Sequence, residues 1–286
     1  MKAIVLLTFL LFFALIAADP PRPLILERVG RFDHPSIQEA SGMVKSRKHV
    51  GVYWVHNDSG NASQLFAVRR DGSLIREYQV NIPNVDWEDI ATDNAGHLYI
   101  GEIGNNGGRL PLRAVYQLDE PDPIRDDVKL LKVTTGSYYI FAANNRYDAE
   151  GLAIDGNRAL LVAKSFDGRD AEVYSIPIFP PARLLKPATP EPLGSLPGFV
   201  TPVTGASLSV NGLRLAVCGT GMVGIYERSG RASWKPVFLR AFLPNSGQVE
   251  AITWDGENLL LAGENREILS LPASLWQART SLNGKP

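Results

Sequence analysis

Apolar and polar positions along the chain alternate in short runs, and the runs themselves recur. One unit opens on a segment of small and apolar residues, passes a turn, continues as an alternating apolar strand, crosses a polar loop and returns as a strand with an aromatic or branched residue. The opening segment stands as Ala40-Ser41-Gly42-Met43-Val44, Trp87-Glu88-Asp89-Ile90-Ala91, Ala149-Glu150-Gly151-Leu152-Ala153, Gly205-Ala206-Ser207-Leu208-Ser209 and Val249-Glu250-Ala251-Ile252-Thr253. The second runs are 52–55, 98–100, 159–162, 213–218 and 259–261; the third are 65–68, 115–118, 173–176, 223–226 and 268–271. Alternation with a period of two, rich in Val, Leu, Ile and Tyr, predicts strands. Asn94-Ala95-Gly96, Asp155-Gly156, Asn211-Gly212 and Asp255-Gly256 between first and second runs supply the residues that tight hairpins need. No stretch after the amino terminus has a helical period.

Antiparallel units repeated every roughly 45 to 60 residues are blades of a β-propeller. The expected fold is all-β, a five-bladed propeller, with blades near 39–84, 85–145, 146–200, 201–246 and 247–275. The isolated run 24–30 lies upstream of the first copy and is expected to close the ring as the outer strand of the last blade, because an open ring leaves an unpaired sheet edge. Six blades is the alternative if the long second interval holds more than loops.

Composition narrows the class. The chain has 286 residues, is 45% hydrophobic and 21% charged, and carries a formal charge of -1. That apolar share excludes a disordered chain, and the balanced charge argues against nucleic acid as a partner. Residues 1–18 combine Lys2 with an apolar run ending in Ala17-Ala18 ahead of a Pro-rich segment, the pattern of a cleaved signal peptide. The expected product is a secreted or periplasmic monomer, residues 19–286 as one domain, without membrane contact after cleavage. The single cysteine, Cys218, sits in a strand-like run and is expected to be a buried thiol.

In a propeller the innermost strands surround a channel, so matching positions on them point to one axis. Those positions here are Ser41, Glu88, Glu150, Ala206 and Glu250. Carboxylates about 5 Å apart repel by roughly 3 kcal/mol per pair at an effective dielectric of about 20. No Lys or Arg occupies a matching position, so a cation is expected between them. Oxygen ligands from several segments suit Ca²⁺. Ser41, Glu88, Glu150 and Glu250 are the candidate metal ligands, against the alternative that the glutamates bond to backbone and line a wet channel.

The loops after the second strands should gather with the approaches to the first at one mouth. There His56, Asp58 and Glu102 are candidate catalytic residues, His56 because imidazole titrates near neutral pH. Asn57, Trp87, Asn105, Asn106, Asp148, Lys164, Asn265 and Arg266 are candidate contacts to a small-molecule ligand or substrate. Most of these residue types also serve turns, and Trp87 could instead be a packing wedge.

The run of Ser, Glu, Glu, a weak fourth position and Glu in five successive blades resembles the axial Ca²⁺ site of calcium-activated nucleotidases of the apyrase type. That likeness implies metal ligation by Ser41, Glu88, Glu150 and Glu250; the family's fourth position, a Ser, falls on Ala206. Glu39-Ala40-Ser41-Gly42, His56-Asn57-Asp58-Ser59-Gly60, Trp87-Glu88-Asp89, Gly101-Glu102-Ile103-Gly104-Asn105-Asn106 and Asp148-Ala149-Glu150-Gly151-Leu152 make the chain similar to secreted bacterial propellers of unassigned function. Two functions follow: a metal-dependent hydrolase of a small anionic or ester substrate, or a non-catalytic secreted binding or scaffold propeller with a structural Ca²⁺.

Overall fold

The computed structural model describes residues 23–105, 107–141, 147–178, 186–243 and 247–280, with the backbone alone for 278–280. Strand β1 (Glu27–Arg31) precedes the first blade, which is β2 (Ala40–Lys45), β3 (Tyr53–Asn57), β4 (Gln64–Val68) and β5 (Leu74–Val80). Blade two is β6 (Trp87–Thr92), β7 (His97–Glu102), β8 (Arg113–Asp119) and, after the two-residue β9 (Leu130–Leu131), β10 (Thr135–Tyr139). Blade three is β11 (Ala149–Asp155), β12 (Arg158–Ala163), β13 (Ala171–Pro177) and β14 (Glu191–Leu196). Blade four is β15 (Val203–Leu208), β16 (Arg214–Gly219), β17 (Met222–Gly230) and β18 (Ser233–Ala241). Blade five is β19 (Val249–Asp255), β20 (Asn258–Gly263) and β21 (Glu267–Leu271), followed by helix α1 (Ala273–Thr280).

The five sheets form a five-bladed β-propeller. Its last sheet reads β1-β21-β20-β19, so the amino-terminal strand closes the ring by pairing antiparallel with β21. The long second interval makes no sixth blade. Its extra chain forms β9, which pairs in parallel with the outer strand β5 of blade one, before β10 completes blade two. Hairpins follow the expected chemistry: Asp155 pairs with Arg158 and Asp255 with Asn258, and Gly156 and Gly256 take φ of 60° and 67° at the first turn position.

Five apolar clusters lie between successive sheets. The seam of blades one and two holds Trp54, Leu65, Tyr78, Trp87, Ile100 and Leu118; that of blades five and one joins Phe32, Met43 and Phe66 to Leu260 and Ile268. Trp87 is fully buried there, and removing a side chain of that kind from water contributes roughly 1.5–3 kcal/mol. The short helix α1 is a departure from the sequence reading. It lacks an apolar periodicity and is held by tertiary contacts, with Trp276 packed edge-on to Trp254 and the Asn258 side chain accepting the N–H of Ala273. Cys218 is buried, as expected.

Candidate functional site at the channel axis

Each innermost strand begins with an irregularity. Pairing with the second strand slips by one residue between Ala40 and Gly42, Trp87 and Asp89, Ala149 and Gly151, Val203 and Gly205, and Val249 and Ala251. The residues left unpaired are Ser41, Glu88, Glu150, Thr204 and Glu250. A bulge re-aims one side chain of a strand, and here the five line one cavity of about 270 Å³. The fourth position is therefore Thr204, two residues before Ala206. Ala206 lies inside β15, where its N–H donates to Asp89. Thr204 carries a hydroxyl, as Ser41 does. Both hydroxyls donate to the carbonyl of the next blade's strand: Ser41 to Glu88 and Thr204 to Val249, each at 2.7 Å. Each oxygen keeps lone pairs for a further partner.

A second tier surrounds the bulges. After each second strand one N–H donates to a carbonyl two residues before the bulge: Asp58 to Glu39, Gly104 to Asp86, Lys164 to Asp148, Thr220 to Pro202 and Glu264 to Gln248. This tier brings carboxylates onto the blade one to blade three side. Oxygens of Asp58, Asp86 and Glu88 fall within 4.8 Å of one another, as do those of Glu88, Asp148 and Glu150. Glu88 belongs to both triads. Gly104 makes room for them, because a Cβ there would overlap Glu88 Oε1 and Asp86 Oδ2. The cavity grades from the buried Ser41, Glu88, Glu150 and Thr204 to the exposed Glu39, Gln248 and Glu264, so it opens to solvent at the mouth.

One cation, expected at the mouth as a ligand contact, reaches in from the loop after β12 to pair with an axial carboxylate. Lys164 Nζ lies 2.7 Å from Glu150 Oε1. Burial lowers its pKa, but Glu150, Asp148 and Glu88 overcome this and raise it. The carboxyls respond the other way. Burial, then the charges of Glu150, Asp58, Asp86 and Asp148, pushes Glu88 far above the usual range. Burial raises Glu150 despite Lys164, and burial with Glu150 nearby pushes Glu250 up to about 8. Burial also raises Asp58 and Asp148. Glu88 Oε1 is buried and has no hydrogen-bond partner, in a residue only 3% exposed.

Several expected mouth residues are instead internal. His56 lies on β3, fully buried, with Nδ1 bonded to the carbonyl of Asn57 at 2.9 Å and its ring edge-on to Trp87. Burial lowers its pKa to about 4, which leaves it neutral near pH 7, packed within β3 rather than in a loop, with Nε2 buried and unpartnered. Glu102 is a clamp: its two oxygens accept the N–H groups of Val85 and Asp86, fixing the approach to β6. Asn57 accepts from Gln38 and Glu39 and donates to Ser36. Trp87 is the packing wedge, its indole N–H on Pro83. Asn105 takes the N–H of Leu110 and donates its own to Asp148. Asn265 turns the chain onto Glu267, and Arg266 donates to the carbonyls of Phe32 and His34, tying blade five to the segment before blade one. Asn106 and the leader 1–18 lie outside the described residues. Asp58, Asp148 and Lys164 do line the cavities at the mouth. Asp148, Lys164 and Phe166 also border an adjoining cavity of about 400 Å³ with Tyr147 and Arg169.

The donor set is all oxygen, from side chains on five strands and their flanking turns, and an orphaned buried carboxylate oxygen sits at its centre. Such a set fits a hard divalent cation. Asp86 and Thr204 are the residues that sequence reasoning missed as parts of this set. The signal for Thr204 was available: aligning Gly205 with Gly42 and Gly151 places it at once.

No protein-family model matches the chain, and no curated protein matches it. Among solved structures, the chain is similar to one in a mitotic checkpoint complex (17% identity, covering 95% of this chain and 74% of that one, TM-score 0.43). It is also similar to the periplasmic gluconolactonase PpgL of Pseudomonas aeruginosa (16%, 80% and 67%, 0.44). A third is a catalytically inactive virginiamycin B lyase from Staphylococcus aureus with quinupristin (14%, 84% and 67%, 0.41). What those proteins do is a property of their own sites.

Proposed function

We propose that the axial cavity holds a divalent cation, Ca²⁺ by its ligand chemistry, and that the protein is a metal-dependent hydrolase of a small anionic or ester substrate entering at the mouth. The observation that carries the reading is Glu88. Its carboxyl belongs to two acidic triads, is almost wholly buried, and leaves Oε1 without a partner. Glu150, Asp86 and Asp148 would complete the carboxylate side, with Ser41, Thr204 and Glu250 on the same cavity wall. The axial resemblance to calcium-activated nucleotidases points the same way.

When bound, the cation would polarise an oxygen of the substrate. The remaining work falls to the chain. Asp58 is half-buried at the mouth with a raised pKa, which suits a group that takes and returns a proton. Lys164 stands where the axial and adjoining cavities meet and would orient an anionic group. The apolar run of residues 1–18 would direct export; among the described residues no helix is long and apolar enough to cross a membrane.

The second reading, a structural Ca²⁺ in a non-catalytic binding propeller, is favoured by one observation: Lys164 already neutralises Glu150. Calorimetric titration of chelator-treated protein with Ca²⁺, followed by a screen of phosphate, lactone and aryl-ester substrates with and without the ion, separates the outcomes. Binding that vanishes in Glu88→Gln, with Ca²⁺-dependent turnover lost in Asp58→Asn, supports the hydrolase. Binding without turnover supports the second reading. No heat of binding removes both.

A further inference from the structure

The other end of the channel has chemistry of its own. There the first strands end in turns, and the turn after β2 is rigid: Ser46 Oγ accepts the N–H groups of Lys48 and His49. Between them stands Arg47. Its guanidinium crosses the end of the channel, donating to the Asn94 side chain of blade two at 2.8 Å and to the carbonyl of Leu208 in blade four at 3.3 Å. It borders two cavities, one of about 570 Å³ and one of about 370 Å³.

Arg47 differs from Lys45 and Arg214, the other cations lining the larger cavity, in its partners. Lys45 is held by Asp255, and Arg214 by Glu257 and Glu227. Arg47 holds an amide and a carbonyl, and among the described residues no carboxylate reaches it within ion-pair distance. Asp93, the acid nearest in effect, spends its oxygens on Ala95, His97 and Tyr99. A half-buried guanidinium with neutral partners retains most of its attraction for an anion, and its planar fork matches carboxylate and phosphate oxygens. The larger cavity adds apolar wall from Val44, Leu208, Val210 and Trp254, and its volume suits a small organic ligand.

We infer that this end of the channel is a second binding site, for an organic anion with a hydrophobic or aromatic body, with Arg47 as the group that takes the carboxylate or phosphate. The site is independent of the axial carboxylates and of any cation they hold.

Phenyl phosphate is a suitable probe, titrated calorimetrically into the full chain in the presence of a chelator, with Lys164→Gln as a second background so that binding at the mouth is told apart from binding at Arg47. Saturable binding is expected in the native protein and in Glu88→Gln. Arg47→Gln should weaken it by roughly tenfold or more, as loss of charge-assisted hydrogen bonds requires. Val210 is 64% exposed, so Val210→Glu should leave the melting temperature unchanged while placing a repelling charge at the rim and weakening the probe similarly. Inorganic phosphate should bind more weakly than phenyl phosphate. Absence of saturable binding at millimolar probe, or equal affinity in the native protein and both Arg47→Gln and Val210→Glu, overturns the inference.

Discussion

Two buried carboxylates that are neighbours in sequence, Glu88 and Asp89, have opposite roles, and their partners explain why. Asp89 stands where other blades carry Gly42, Gly151, Gly205 or Ala251, so only blade two sends a side chain across at this level. It accepts the N–H groups of Ile90, Leu152 and Ala206, linking blades two, three and four. Burial raises its pKa against the pull of these donors. Asp89→Ala would leave three buried N–H groups unsatisfied, a loss of about 3 kcal/mol or more, read as a melting temperature lower by roughly 6 °C or more. A melt unchanged within a degree or so would deny the tie. Glu88 has the reverse economy, a buried oxygen with nothing to accept. Gly104→Ala tests whether that space matters, since its Cβ would intrude on Glu88 and Asp86. Ca²⁺ affinity should fall at least tenfold with the fold retained by circular dichroism; undiminished affinity would place the cation elsewhere.

At the scale of elements, the sequence pattern was legible where side chains mark the strand and illegible where they do not. Blades one, two, three and five were registered correctly because Ser or Glu stands two residues before a large apolar one (Met43, Ile90, Leu152, Ile252) at a fixed distance from the hairpin. Blade four slipped by two, since Ala206, Ser207 and Ser209 give a small, polar run in which alternation reads equally well in either frame of the same parity. His56 was misplaced for a related reason. The polar run from His56 to Gly60 resembles a loop, yet β3 extends through Asn57, because Trp87 and Gly42 build a pocket for the ring that no local pattern reveals. Glu102 and Arg266 look like mouth groups in sequence and are clamps in space. Ring closure depends on one of them. Arg266, with φ of 66°, donates to the Phe32 and His34 carbonyls beside β1. Arg266→Ala should make the amides of β1 and β21 exchange with deuterium roughly ten- to a hundredfold faster, a loss of about 1.5–3 kcal/mol for charge-assisted bonds. Exchange changed equally in every blade, or in none, would mean that closure does not rest on this contact.

Over the whole molecule, a formal charge of -1 conceals an uneven pairing: at the end of the channel where the inner strands begin, acids crowd around Lys164, while at the other end Asp255 and Glu257 are paired with Lys45 and Arg214. The acidic end couples stability to pH, and a bound cation removes that coupling. Glu88, Glu150 and Glu250 have folded pKa values raised by burial and by one another. In the chelator-treated protein the folded state therefore binds protons more tightly than the unfolded chain. The stability they contribute is fully present below the ordinary glutamate pKa of about 4.3 and is lost as pH rises through their folded values, which for Glu250 means through about 8. Asp255 works oppositely: burial raises it, but Lys45, Arg70 and Tyr53 outweigh this and depress it, so its contribution is lost only as pH falls below the ordinary aspartate range. Between about pH 5 and 9 the axial acids should dominate, and the melting temperature with chelator should fall. A divalent cation competes with those protons, so at saturating Ca²⁺ the axial acids stay ionised in the folded state and the melting temperature should stay nearly level while the chelator curve drops, the two diverging toward pH 9. At a free concentration a hundredfold above Kd the ion adds about 2.7 kcal/mol, or roughly 5–10 °C for a chain of this size. Parallel curves with and without Ca²⁺ would leave the carboxylates protonated or paired with Lys164 at every pH, and the cation reading could not survive that result.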